Sequence, residues 1–218
     1  MGLSRARDWL GCRILELDTP HGLARAHLHP VDRPVAALVL GHGAGGGVNA
    51  PDLVAATEAA NSAGLTVALV EQPYRVAGRR SPAPARQLDA AWTALLERLR
   101  EDALVGLPII AGGRSAGARV ACRTSADVGA AAVLCLAFPL HPPGKADDPA
   151  KSRLPELDAV QVPTLVVQGE SDPFGMPPDG PSRMVSRVSG NHSLRNAGAV
   201  AAAVTAWLPG ALLLSQCE

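Results

Sequence analysis

Gly113-Arg114-Ser115-Ala116-Gly117 lies between a short apolar run, Leu107-Pro108-Ile109-Ile110-Ala111, and a helix-like stretch, Ala118-Arg119-Val120-Ala121-Cys122. The order is strand, sharp turn, helix, with a serine at the apex, the G-x-S-x-G pattern of a nucleophile elbow. A turn this tight forces the serine into a sparsely populated backbone region, a strain of about 1–3 kcal/mol. Side chains two residues to either side of the serine collide with the crossing strand and helix, so glycine is suited to both places. The hydroxyl then stands at the end of the sheet beside backbone N–H groups of the helix start. The pentapeptide alone recurs by chance, and an ordinary helix N-cap is the lesser alternative for Ser115, given its flanking glycines. Its weight depends on what the rest of the chain supplies.

Strands and helices alternate outward from this turn. Residues 12–18 and 23–29 read as a β-hairpin around Thr19-Pro20-His21-Gly22, with Ile14, Ala24, Ala26 and Leu28 on one face. Arg25, His27 and His29 share the other face. Histidines two apart on a strand can ligate a metal, but a solvated face is the plainer reading. Val35–Leu40 is a continuous apolar run, as a strand buried on both faces should be. It leads into Gly41-His42-Gly43-Ala44-Gly45-Gly46-Gly47 and a helix opened by Pro51 and closed by Gly64. After a strand at Leu65–Val70 comes a loop rich in Pro and Arg. Leu88, Ala91, Trp92, Leu95, Leu96 and Leu99 then form one helical stripe. Downstream, strands are expected at 131–138, 164–168 and 184–188, and an Ala-rich helix closes the chain through Trp207. The alternation implies a mostly parallel sheet covered on both faces. The Pro-rich segment 139–162 lacks the amphipathic pattern of a helical cap.

Composition narrows the function classes. The 218 residues suit one domain, 1–218, with a real core. Hydrophobic residues at 47% and charged residues at 18% indicate a soluble globular protein. Twenty basic and twenty acidic residues cancel, so neither a nucleic-acid nor an anionic-membrane partner is expected. The start, Met1 to Ala6, has no long apolar core, and the tail 211–214 is too short to span a bilayer. Cys12, Cys122, Cys135 and Cys217 are scattered, and Cys122 and Cys135 read as buried free thiols. A cytoplasmic location fits.

Four features fall in strand-exit loops, where an open parallel sheet makes its ligand crevice: the Gly-rich loop, Ser115, Asp172 and His192. A serine hydroxyl needs an imidazole to take its proton. The imidazole needs a carboxylate to fix its tautomer. The developing oxyanion needs two backbone N–H donors, for which Ala116 and Ala44 are placed. Each role has rivals. Asp172 precedes Pro173 and could be a turn residue, Glu170 and Asp179 are alternative acids, and His192 could cap the last helix. His141 follows a strand and is a candidate for the pocket wall, whereas His42 suits bracing its loop. Gly41-x-Gly43-x-x-Gly46, with Glu71 ending the next strand, also fits a dinucleotide fingerprint. Against that, Pro51 opens the helix several residues too late.

The chain resembles small α/β-hydrolases related to dienelactone hydrolase. It is most similar to the branch sharing a hydrolase-like domain with the NSL chromatin-complex subunit and testis-expressed hydrolase-like proteins. The resemblance rests on 41–46, Pro73-Tyr74-Arg75 with Gly78-Arg79-Arg80, 113–117 with Arg119, Phe138-Pro139-Leu140-His141-Pro142, Gln168–Gly175 and Gly190-Asn191-His192-Ser193-Leu194. It implies an α/β-hydrolase fold with Ser115 as nucleophile, Asp172 as acid, His192 as base, and Ala44 and Ala116 as the oxyanion hole. Ala116 departs from this branch, which often has a larger residue there. The expectation is a serine hydrolase of small acyl esters or thioesters, acting on a small-molecule substrate with no cofactor and no metal. Arg75, Arg79 and Arg80 are candidates for binding a substrate carboxylate, against a solvated or ion-paired loop as the plainer reading. Arg119 reads as structural. An interaction module with a vestigial triad is the alternative from another class.

Overall fold

The computed structural model describes residues 12–145 and 148–214; the expectations for the N-terminal start and for Cys217 lie outside them. The described strands form one sheet in the order β1-β2-β4-β3-β5-β6-β7-β8. They are β1 Arg13–Thr19, β2 Gly22–His29, β3 Ala36–Gly41, β4 Leu65–Glu71, β5 Ile109–Arg114, β6 Ala132–Leu136, β7 Thr164–Gly169 and β8 Arg183–Val188. The pairs β1–β2 and β2–β4 are antiparallel, and every later pair is parallel. This is the α/β-hydrolase fold.

Strand alternation sends neighbouring residues to opposite cores. Val39, Ala111, Val133 and Val166 join Trp92, Leu95 and Leu99 of α3 (Ala85–Glu101) and Val120 of α4 (Ala116–Thr124) on one face. Leu38, Leu40, Ile110, Leu134 and Leu165 pack on the other face against α1 (Pro51–Ser62) and α6 (Ala197–Leu214). Burial on both sides explains the unbroken apolar runs of the central strands. Helix α6 continues past the expected end at Trp207 and through Pro209. Its buried stripe of Val200, Val204, Leu208 and Ala211 runs on beyond the proline, and packing outweighs propensity.

Two expectations change. In the hairpin, register sets Leu15 opposite Ala26 and Leu17 opposite Ala24, so Leu15 and Leu17 face the core while Ile14 lies opposite His27, 56% exposed. The stretch after β4 is not all loop, because Pro73–Val76 makes a short helix, α2, opened by its proline.

From β3 the chain moves to β4 on one side, then crosses back to β5 on the other. That reversal opens a crevice at the carboxyl ends of β3 and β5. The Gly-rich loop and Ser115 emerge there. Segment 139–162 adds only a 3-10 turn at Pro149–Lys151 and a short helix, α5 (Leu154–Asp158). Leu157 and Val160 pull it into the core, leaving the crevice without a cap among the described residues.

Candidate active site

Ser115 sits between β5 and α4 at φ +53°, ψ −107°, the strained conformation expected at the elbow. Its side chain caps no backbone N–H of α4, which removes the N-cap reading. The turn closes because three glycines meet. A Cβ on Gly41 would lie 3.3 Å from the Gly117 Cα, and one on Gly113 would lie 2.6 Å from the Gly41 carbonyl oxygen.

Ser115 Oγ–H donates to His192 Nε2 at 2.9 Å, and His192 Nδ1–H donates to Asp172 Oδ2 at 2.8 Å. Three residues up to 77 positions apart in the chain thus form one relay. His192 lies in a loop and α6 begins only at Ala197, so it is no helix cap. Its ring is tilted against Phe174 with centroids 4.3 Å apart. The Asp172 side chain is 0% exposed. Its Oδ2 also accepts from Gln168 Nε2 at 2.9 Å, and Oδ1 accepts from Phe174 N–H at 2.9 Å. Three donors on two oxygens fix the carboxylate in orientation. Glu170 is exposed, and Asp179 accepts from the Val185 N–H instead.

The Gly-rich loop is braced from two sides. His42 Nδ1–H donates to Gly43 O at 2.8 Å, while His42 Nε2 accepts from Gln72 N–H at 3.1 Å. Burial pulls the His42 pKa down, which suits the neutral tautomer these bonds require. Tyr74 Oη–H donates to Ala44 O at 2.9 Å. With the Gly43 carbonyl pinned on His42, the Ala44 N–H of the same peptide plane points the opposite way. As the first residue of α4, Ala116 has no intrahelical acceptor for its N–H. Both alanines border the same cleft as Ser115, about 340 Å³ in volume.

Sequence reasoning missed the residue between Gly113 and Ser115. Arg114 Nη2 donates to the His192 backbone carbonyl at 3.0 Å. Its Nε lies 2.9 Å from Oδ2 of Asp52, a fully buried carboxylate in the first turn of α1. That contact is not aligned as a hydrogen bond, so Oδ2 is held by charge. Gln168 was likewise invisible as a support for Asp172. No periodic pattern marks either contact.

The arginines expected near a substrate carboxylate lie elsewhere. Arg79 and Arg80 are exposed, and Arg79 borders a second cleft with His21 and Gln87. Arg75, on α2, stands near His42 and lowers its pKa further. His141 is not among the residues bordering the Ser115 cleft; its N–H donates to Phe174 O at 2.9 Å. The guanidiniums that do border it are Arg119, Arg123 and Arg153. Arg119, read as structural, grips Glu156 with both arms at 2.8 and 2.6 Å.

The rival sites do not assemble. Helix α1 starts at Pro51, five positions after Gly46, and Glu71 is taken by His27 at 2.9 Å, so the dinucleotide fingerprint has neither its helix nor a free acid. His29 lies 3.9 Å from the Cys12 sulfur, and the described residues hold no group of three metal-ligating side chains. Cys122 and Cys135 are buried free thiols with sulfurs 3.4 Å apart. No described helix is long and apolar enough to cross a membrane.

No curated protein matches the chain by sequence. Many solved structures share its fold. A serine hydrolase without a lid from Xanthomonas campestris is 21% identical at a TM-score of 0.68, over 91% of this chain and 95% of the other. Est1E from Butyrivibrio proteoclasticus is 16% identical at 0.72, over 92% and 99%. A dienelactone hydrolase from Anabaena variabilis is also 16% identical at 0.72, over 92% and 97%. The family described as "Alpha/beta hydrolase domain" matches residues 34–197, well over half the sequence. The chain therefore belongs to the α/β hydrolase domain family.

Proposed function

We propose that this protein is a serine hydrolase that cleaves small acyl esters or thioesters through an acyl-enzyme on Ser115. One observation carries the reading: the His192 ring bridges Ser115 Oγ and Asp172 Oδ2 at 2.9 and 2.8 Å. Nε2 takes the hydroxyl proton as Oγ attacks the acyl carbon, and Asp172 stabilises the imidazolium. The N–H groups of Ala44 and Ala116 receive the oxyanion, each contributing a factor of about 10²–10³ in rate. His192 then returns the proton to the leaving group and activates the water that releases the acid. The scheme needs no cofactor. A cleft of about 340 Å³ that no described segment caps suits short acyl groups better than long lipids.

We also place the chain, on its motifs, in the branch sharing the NSL-subunit hydrolase-like domain, as a one-domain cytoplasmic enzyme acting on small molecules. The test is labelling by a fluorophosphonate probe. Wild-type protein is expected to be labelled and Ser115→Ala not. Equal labelling of both, or none of either, refutes the reading and favours an interaction module with a vestigial triad.

A further inference from the structure

We infer that Arg153 is an anion-binding residue of the Ser115 cleft, and that the substrate carries a carboxylate within reach of it. This rests on the hydrolase reading and specifies its substrate class.

The argument begins with charge. Arg119, Arg123 and Arg153 all border the cleft that holds Ser115. Two of these guanidiniums are already committed. Arg119 is paired bidentately with Glu156. Arg123 is paired bidentately with Asp89 at 2.9 and 2.6 Å, and its Nη1 also reaches Glu156 at 3.3 Å. Two carboxylates thus serve three cations, and the surplus falls on Arg153, which has no ion-pair partner among the described residues.

Geometry then shows what remains for a ligand. Arg153 Nη1 donates to the carbonyls of Pro139 and His141 at 3.1 and 3.4 Å. Its backbone N–H donates to Leu140 O at 2.8 Å. These bonds hold the side chain in place and use one arm. Nε and Nη2, the parallel fork that matches a carboxylate, have no partner among the described residues. Burial and then the charge of Arg119, with a smaller push from Arg123, pull the Arg153 pKa down, and the charge of Glu156 offsets this only in part. A fixed, half-buried guanidinium beside two other cations is an unfavourable arrangement until an anion joins it. A carboxylate on the substrate supplies that anion and, by docking on the fork, sets the distance from its own ester carbonyl to Ser115.

Arg153 could instead serve only to staple segment 139–153, and the test separates the two roles. The 4-nitrophenyl monoester of glutaric acid is compared with 4-nitrophenyl valerate, and 4-acetoxybenzoate with 4-acetoxybenzamide, so the anion sits on the acyl side or on the leaving group. A kcat/KM preference for an anionic ester of about 10- to 100-fold is expected in one pair, mainly through KM. Arg153→Gln should collapse that ratio to about one, and Arg153→Lys should restore part of it. No preference in either pair, or a parallel fall for both esters of a pair, overturns the inference while leaving the hydrolase intact. If the variants do not fold, or no ester is turned over, wild-type fluorophosphonate labelling is the readout. Slower labelling with glutarate but not glutaramide supports the site, and equal effects refute it. Absence of labelling refutes the hydrolase reading itself.

Discussion

Replacing Arg114 by methionine separates two jobs that one side chain performs. The first is to neutralise Asp52, whose carboxylate is 0% exposed and whose other partner is the Leu53 N–H at 3.0 Å. Breaking a buried ion pair by removing one member costs about 3–5 kcal/mol. Burial already holds the Asp52 pKa above the ordinary carboxylate range, against the opposing charge of Arg114. A carboxyl with a raised folded pKa binds more protons in the native state, so stability falls as pH rises through the gap between unfolded and folded values. Without Arg114 the folded value climbs further, and the variant should be weakest at neutral pH and recover toward acid. The second job is the clamp on the His192 carbonyl, a charge-assisted bond of about 1.5–3 kcal/mol. Its loss should lower kcat about 10- to 100-fold. Arg114→Met with Asp52→Asn removes the buried charge without restoring the clamp. Urea unfolding at pH 5 and 8, with ester hydrolysis on the same samples, should show stability regained and kcat still low. If the double variant recovers both, Arg114 does not position His192 and the reasoning fails.

Gly117→Ala sets a Cβ against the Gly41 carbonyl and 2.9 Å from His42 O, both backbone, so α4 must move off β3. A loss of about 1–3 kcal/mol or more is expected, read as a lower Tm; an unchanged Tm contradicts the close crossing. His42 is held neutral by burial, with a folded pKa below its unfolded value of about 6.5. Its contribution to stability is therefore present above that pH and lost as pH falls toward the folded pKa. The stability gap between wild type and His42→Gln should narrow in acid, and a constant gap from pH 5 to 8 refutes the brace.

Much of the frame could be read from the chain because it rests on local rules. Buried strands announce themselves as apolar runs, α3 as a stripe, and the elbow as two glycines around a serine. Ser115, Asp172 and His192 stood out because each ends a strand or follows one closely. The hairpin face misled because Ile14, Leu15 and Leu17 put apolar side chains on both parities of β1, and only pairing with β2 decides between them. The substrate-side arginines misled for a different reason. Arg75, Arg79 and Arg80 follow β4 in sequence, but the turn of α2 carries them off the cleft. Arg153 reaches it from an irregular segment whose path no periodicity records. Arg114 and Gln168 act on residues 78 and 4 positions away, through contacts that exist only once the loops have met.

The sheet order leaves β1 and β8 at its two margins, and the chain does not close them into a barrel. A margin strand exposes unpaired peptide groups to any similar strand that approaches, the usual start of aggregation. On β1 that hazard is met by Arg13, Glu16 and Asp18 in a seven-residue strand, and on β8 by the exposed Arg187 in a strand of only six. An incoming strand has to strip water from those charges before it gains a single peptide bond partner. The polar borders weigh against edge-to-edge pairing of a sheet whose interior is so rich in alanine and valine.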